Sequence, residues 1–228
     1  MALCLLAAAG FVRLGFWQLH RLDERRAANR VAIAARAAPV LELAGAAVAS
    51  ADSLEERKVM ARGRYDHMHD IVLRGGAYQG VPGVYLVTPL RLAGSDTAVL
   101  VERGFVPAPD AVTADAGTFA EPGEVVVKGL ARRLRPGRGN PMRREGRTTW
   151  ARLDPDALRD SLPYPILSIS IRQTPDPSLP SFPRRMEPLP IDDGPHLNYA
   201  IQWFLFATLA LAFAFLVIGR REKSRRGP

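Results

Sequence analysis

The chain has 228 residues, 31 Lys and Arg against 23 Asp and Glu, a net charge of +8 and one cysteine, Cys4. A lone cysteine excludes an intrachain disulfide and a paired-thiol redox or copper site. The positive balance does not point to nucleic acid: no such motif accompanies it, and much of it lies in RLDERRAANR and RREKSRRG, each beside an apolar segment.

Residues 1–19 are expected to form the first transmembrane helix. Residues 1–12 carry no charge, Arg13 interrupts, and Trp17 suits a membrane interface. A signal-peptide core has a similar look, but the basic n-region is missing and AAAG is a poor cleavage site. The short run also suggests that the natural chain begins upstream of Met1. Arg13 must either snorkel along its own stem or face another helix. Residues 20–38 are rich in helix formers and predict a helical extension that stops at Pro39.

Residues 39–195 read as one β-rich domain. An Ala-, Ser- and Asp-rich loop precedes the strand patterns RKVMARGRY and DIVLRG. GVYLVTPLRL and TAVLVERGFVP flank the turn AGSD and predict a hairpin. GEVVVKGLARRL predicts another strand. In DPDALRDSL an Asp N-cap and a Pro at the first helical position predict a short helix. YPILSISIRQ closes the series with Ile166, Ser168 and Ser170 alternating against Leu167, Ile169 and Ile171. Six or so strands with short turns are expected. Prolines 175, 177, 180, 183, 188 and 190 make residues 175–195 an extended strap.

The second transmembrane helix is expected over residues 196–219. Residues 197–218 are free of formal charge, and 22 residues give about 33 Å of helix, enough for a hydrocarbon core of about 30 Å. The tail 220–228 carries Arg220, Arg221, Lys223, Arg225 and Arg226 and predicts a cytoplasmic end. Two spans put both termini in the cytoplasm and the middle domain outside; the expected location is a bacterial cell (inner) membrane with the central domain external or periplasmic. The fold class is then an α+β membrane protein, with two transmembrane helices flanking an exported, mainly antiparallel β domain and membrane lipids as its surroundings.

The second span opens with unusual chemistry. On a helix, His196, Tyr199, Trp203 and Phe206 fall within about 80° of one another. A ligand atom above aromatic faces suits a flat macrocycle, and neutral imidazole is the form that binds iron. The same residues also suit ordinary interfacial anchors. His20 stands at the end of the first span, as a second ligand or another interfacial residue. His67 and His69 in DHMHD lack a third ligand nearby and are expected to form a solvated turn. No Ser/His/Asp set, phosphate loop or zinc spacing suggests an enzyme.

Three segments in order, LGFWQLHRL, VLVERGFVP and GPHLNYAIQWFLFA, resemble the SURF1 family of cytochrome c oxidase assembly factors over essentially the whole chain. The family's first motif matches Gly15, Trp17, Gln18 and Arg21, with Phe16 between Gly and Trp. Its second matches Arg103, Gly104 and Pro107, with Phe105 where Trp is commoner. Its third matches His196, Tyr199 and Trp203. The resemblance implies a non-enzymatic role in delivering or inserting haem a into the oxidase catalytic subunit, with haem a synthase as a further partner. It implies His196 as the haem ligand, with Tyr199, Trp203, Trp17 and Arg21 around it. Arg21 then either holds a haem propionate or, with Trp17, docks the first helix on the second. Arg103 and Gly104 are expected to serve the fold, the Arg with a carboxylate and the Gly at a close backbone approach. A chaperone that never touches haem and a haem-modifying membrane enzyme are the alternatives.

Overall fold

Both apolar stretches are helices in the computed structural model, which describes residues 2–43, 51–137, 139, 141–144 and 147–225. Helix α1 runs Ala2–Ala37 and α4 runs His196–Arg225, and both are long and apolar enough to cross a membrane. The chain divides into a helix unit, residues 1–33 with 190–228, and a sheet unit, residues 34–189.

In the helix unit α1 buries Ala8, Gly15, Gln18, Leu22 and Asn29, and α4 buries Ala200, Ala207 and Ala214. The α1 residues fit a seam of alternating three- and four-residue steps, and the alanines recur every seven residues, which is the pattern of a left-handed helix pair. The pair is antiparallel, because Phe11 meets Phe206, Gly15 meets Phe204 and Gln18 meets His196. Hydrocarbon solvates Leu as well as a neighbouring helix does, so association in a membrane rests on close packing of small residues. Gly15 shows the tolerance: a Cβ there would stand 2.7 Å from the Phe204 ring.

The sheet unit holds β1 (Leu41–Leu43), β2 (Lys58–Tyr65), β3 (Ile71–Tyr78), β4 (Val81–Leu92), β5 (Ala98–Pro107), β6 (Glu124–Arg133), β7 (Met142–Arg144), β8 (Arg147–Trp150) and β9 (Ile166–Gln173). It also holds short helices α2 (Ala51–Leu54) and α3 (Pro155–Ser161). The sheet order is β1-β2-β6-β9-β5-β4-β3-β8-β7, and β2 also pairs with β4, so five strands close into a barrel. In chain order they follow around the ring as first, second, third, fifth and fourth, the connection of an OB-type barrel. Inside lie Val59, Ala61, Tyr65, Leu90, Val99, Val101, Val127, Ala131, Ile169 and Ile171. Strand β2 shows why: Val59, Ala61 and Tyr65 alternate with Lys58, Arg62 and Arg64, so one face is apolar and the other charged. Strand β5 is buried on both faces, and Leu100 packs outward with Val87, Trp150 and the α3 residue Leu158.

The sheet is mixed. β1–β2, β3–β8 and β5–β9 are parallel pairs, and the remaining pairs are antiparallel. The predicted β4–β5 hairpin and the α3 helix are present, with Asp154 capping Asp156 N–H. Where a loop is expected after Pro39, β1 and α2 stand at its ends, and its centre, 44–50, lies outside the described residues. The proline strap is fastened to the barrel by paired backbone bonds between Phe105 and Arg184, 2.8 and 2.9 Å. The last turn of α1 belongs to the sheet unit, where Arg36 meets Glu56 at 2.7 Å and the Leu189 carbonyl at 2.8 Å.

Arg103 is fully buried. It is the unpaired residue of a β-bulge, since Leu86 opposes Gly104 while Val87 opposes Glu102, and a bulge re-aims a side chain. Its guanidinium lies 5.0 Å over the Tyr65 ring, donates to Glu121 at 2.7 Å and to Thr88 Oγ1 at 3.3 Å, and also bonds the Phe119 carbonyl. Buried Arg185 reaches the same Glu121 oxygen and gives its Nε to Gln173 Oε1 at 3.0 Å. Gly104, with φ +136°, brings the strap in: a Cβ there would sit 2.2 Å from the Arg184 carbonyl oxygen. Arg103 and Gly104 thus stand as expected, one with a carboxylate and one at a backbone approach.

His67 and His69 correct an expectation: they are half-buried and bonded rather than solvated. They form a 3-10 turn capped by Asp66. His67 Nε2 accepts Glu121 N–H at 3.0 Å while Nδ1–H donates to Asp70 at 3.3 Å. His69 and the Tyr164 hydroxyl both donate to Asp66 at 2.7 Å. Among the described residues no group of three or more His, Cys, Asp or Glu side chains is placed to hold a metal ion.

Burial alone would raise the Glu121 pKa, but its bonds to Arg103 and Arg185 prevail and hold it below the usual carboxylate value of 4.5. Its contribution to stability is therefore complete above that value and is lost as pH falls through the lower folded pKa. Asp70 has the opposite sign, because burial pushes its carboxyl up and its ionisation removes stability as pH rises. Replacing Glu121 with Gln leaves two buried guanidinium groups with no shared carboxylate, a loss of about 3–5 kcal/mol. Thermal unfolding of the full chain in detergent checks this: Glu121→Gln lowers the melting temperature at pH 7, and its gap to the parent closes as pH falls through the lowered Glu121 pKa.

Candidate functional site

The helix unit gathers the residues of the first and third motifs at the start of α4. His196 is the first residue of α4, and its Nδ1 lies 2.9 Å from Gln18 Oε1. Gln18 is 9% exposed. An amide buried on an apolar seam costs free energy unless it is bonded, so this contact answers a local need. It also fixes the imidazole: the amide oxygen accepts from Nδ1–H, so in the neutral ring the lone pair lies on Nε2. Nε2 has no hydrogen-bond partner among the described residues. Gly194, at φ +70°, leaves that edge uncovered, since a Cβ there would touch Cδ2 at 3.6 Å and Nε2 at 3.8 Å.

The backbone entering α4 is clamped by α1. Asn29 Nδ2 donates to the Asp192 carbonyl at 2.8 Å and to Asp193 Oδ1 at 3.1 Å. Arg25 Nε reaches the same carbonyl at 3.2 Å, and Arg26 meets Asp193 Oδ2 at 2.8 Å. The Arg26 bond, the leading cause, and Asn29 hold the Asp193 carboxyl below its usual range. These partners fix the turn that delivers His196, and they went unpredicted. Their signal was the repeat of Gln18, Leu22 and Asn29 on one face of α1, opposite an Asp-Asp-Gly turn.

The expected aromatic stripe is divided. Trp203 stacks on Phe11 with ring centroids 5.7 Å apart at 23°, and Phe206 joins them at 5.8 and 5.9 Å. One Trp203 face is thus filled by α1, whereas Tyr199 is 46% exposed. His196 is half-buried rather than free at a wet helix end.

Trp17 and Arg21 do not dock α1 on α4. Trp17 is 53% exposed, and Arg21 is exposed and paired with Glu24. Within the same motif Gly15 and Gln18 face α4, one helical step away from Trp17. His20 also points away from the seam, with Nε2 3.3 Å from Glu24. It does not share a ligand space with His196. Arg103, Gly104 and Pro107 belong to the sheet unit, where Pro107 ends β5 opposite Gly83.

Two helices of membrane-spanning length and hydropathy that flank a mixed β-barrel domain define the class. The model of the SURF1 family matches residues 5–208, and the chain belongs to that family. It is also similar to a SURF1-like protein of Rickettsia felis, 36% identical over 96 residues. The aligned stretch covers 41% of this chain and 40% of that protein.

The contact between Gln18 and His196 predicts non-additive stability. His196→Ala strands the buried Gln18 carbonyl and costs about 1–3 kcal/mol. Gln18→Leu strands only the more exposed imidazole. The double variant, with both groups removed, is expected to be no less stable than His196→Ala alone. Melting of the four proteins in one detergent measures the coupling, and strict additivity would show that the bond contributes nothing.

Proposed function

We propose that this chain is an assembly factor for a haem–copper cytochrome c oxidase. It takes haem a as cargo and assists its passage to the catalytic subunit, with haem a synthase as the source. Family membership supports the oxidase role. The hydrogen bond from His196 to Gln18 carries the haem role, because a metal-binding imidazole typically donates its other ring N–H to a fixed acceptor. An imidazole with an open Nε2 fits haem iron, which accepts a lone pair from neutral histidine. In this proposal His196 supplies the ligand atom and exposed Tyr199 a flanking surface. Trp17 and Arg21, on the other face of α1, are not assigned to the same haem. The chain binds and orients its cargo and performs no catalytic step.

A chaperone that binds the oxidase subunit and no haem is the second reading. The observation that favours it is Phe11, which covers the ring face of Trp203 that a macrocycle would otherwise use.

The absorption spectrum separates the two. Protein purified from cells that make haem a is expected to show a Soret band that is altered and weakened by His196→Ala, and shifted by Gln18→Leu as the imidazole loses its fixed acceptor. A haem-free parent protein would leave the chaperone reading. In cells, deletion of the gene is expected to lower oxidase activity while free haem a persists; loss of haem a as well would place the protein in synthesis.

The proposal includes a topology, with both ends in the cytoplasm and the sheet unit on the outer face of a bacterial inner membrane. Five basic residues from Arg220 to Arg226 support it. Alkaline phosphatase fused after Gly137 is expected to be active, and fused after Pro228 inactive. The reverse pattern would overturn the assignment.

A further inference from the structure

We propose that the face of α1 opposite α4 is the docking site for a transmembrane helix of a different protein, one that brings a carboxylate to the depth of Arg13. The proposal rests on α1 crossing a membrane and not on haem binding.

At 100° per residue, Arg13, Trp17, His20 and Glu24 fall within about 60° of one another, and their centre lies roughly opposite Gly15, Gln18 and Leu22. The structure agrees: Gly15, Gln18 and Leu22 are buried, while Arg13, Trp17, His20 and Glu24 are exposed. Arg13 is the one charge between residues 2 and 19. Among the described residues nothing pairs with it. An arginine within a span is costly, and such residues face a partner or a watery cavity.

Snorkelling to the nearer interface is a poor escape. Arg13 lies six residues, about 9 Å, from Leu19, but a helical Cα–Cβ bond tilts toward the helix N-terminus. The stem therefore leans away from that end. A second copy of the chain is also a poor partner. Neither residues 2–19 nor 197–218 contain an Asp or Glu, so a second α1 would set Arg13 against Arg13. Neither of these two spans supplies the counter-charge, and we assign it to a chain of different sequence. Beyond the apolar stretch the stripe continues with Glu24, already engaged by His20 and Arg21. The only unanswered charge along it is Arg13.

The test places a photoreactive residue in the full chain in its native membrane, as Ala9→p-benzoylphenylalanine on the proposed face. Leu205→p-benzoylphenylalanine, on the outer face of α4, is the control. The expected result is an adduct from position 9, absent from position 205, to a membrane protein whose cross-linked helix carries an Asp or Glu within its apolar stretch. Arg13→Leu is expected to cut its yield about tenfold, equivalent to about 1.4 kcal/mol, and Arg13→Lys to retain most of it. Arg13→Leu makes the span more apolar, so insertion is preserved, and blotting checks the protein level. Arg13→Glu combined with exchange of the partner's acid for Arg is expected to restore the adduct. No adduct, adducts only with lipid or with a second copy, or a yield indifferent to Arg13→Leu would overturn the proposal. Haem content of the same samples is read separately, so failure here leaves the His196 proposal standing.

Discussion

A polar amide on an apolar seam is the constraint from which the helix unit is built. Gln18 is shut between two helices whose other contacts are Ala, Gly and aromatic rings, and it needs a donor there. The observed register of α4 provides it by setting His196 beside it. The same register puts Phe204 over the bare backbone of Gly15 and Trp203 against Phe11. Small residues allow close approach but choose position weakly, because alanine packs against alanine at several offsets. The buried hydrogen bond removes that freedom. Further along the seam buried Asn29 repeats the device with the more exposed Asp193, where charge assists.

The sheet unit applies the same principle with full charges. Two guanidinium groups and one carboxylate lie within the barrel wall, and the bulge at Arg103 aims the first of them inward. An isolated buried charge would be intolerable, but here Glu121 is shared, and carbonyl, amide and hydroxyl oxygens take further donors. The cluster draws together β5, the strap and the segment before β6. Its role is cohesion between irregular segments, which a hydrophobic core does poorly because the polar backbone of a loop cannot be buried alone.

Much of this was legible from the residues. Hydropathy and length marked both spans, turn chemistry marked the β4–β5 hairpin, and Asp154 with Pro155 marked α3. The charge of Arg103 amid the apolar run of β5 announced a paired buried cation. What escaped had no local signal. β1, β7 and β8 are three or four residues long, and although β7 and β8 pair with each other locally, β8 joins the sheet through β3, far back in the chain. Barrel closure through β2 and β4 is a long-range fact that no period encodes. DHMHD looked solvated because its partners, Glu121 and Tyr164, are some 54 and 98 positions away from the residues they meet. At the candidate site, motif matching singled out Trp17 and Arg21 by their chemistry, whereas helical geometry gives the inner positions to their neighbours Gly15 and Gln18.

Barrel closure has a consequence for the protein while it is being made. The sheet ends at β1 and β7, each three residues long, and Arg143 stands in the second. Exposed strand edges are the templates on which chains recruit one another into aggregates, and long flat ones are the worst. Here the ring strands have spent most of their bonding groups on each other, and among the described residues the two ends of the sheet, β1 and β7, are too brief to nucleate a growing sheet. A chain whose two helices must wait for lipid carries a large sticky surface during its synthesis. The short ends of its sheet add little to that hazard beside the helices.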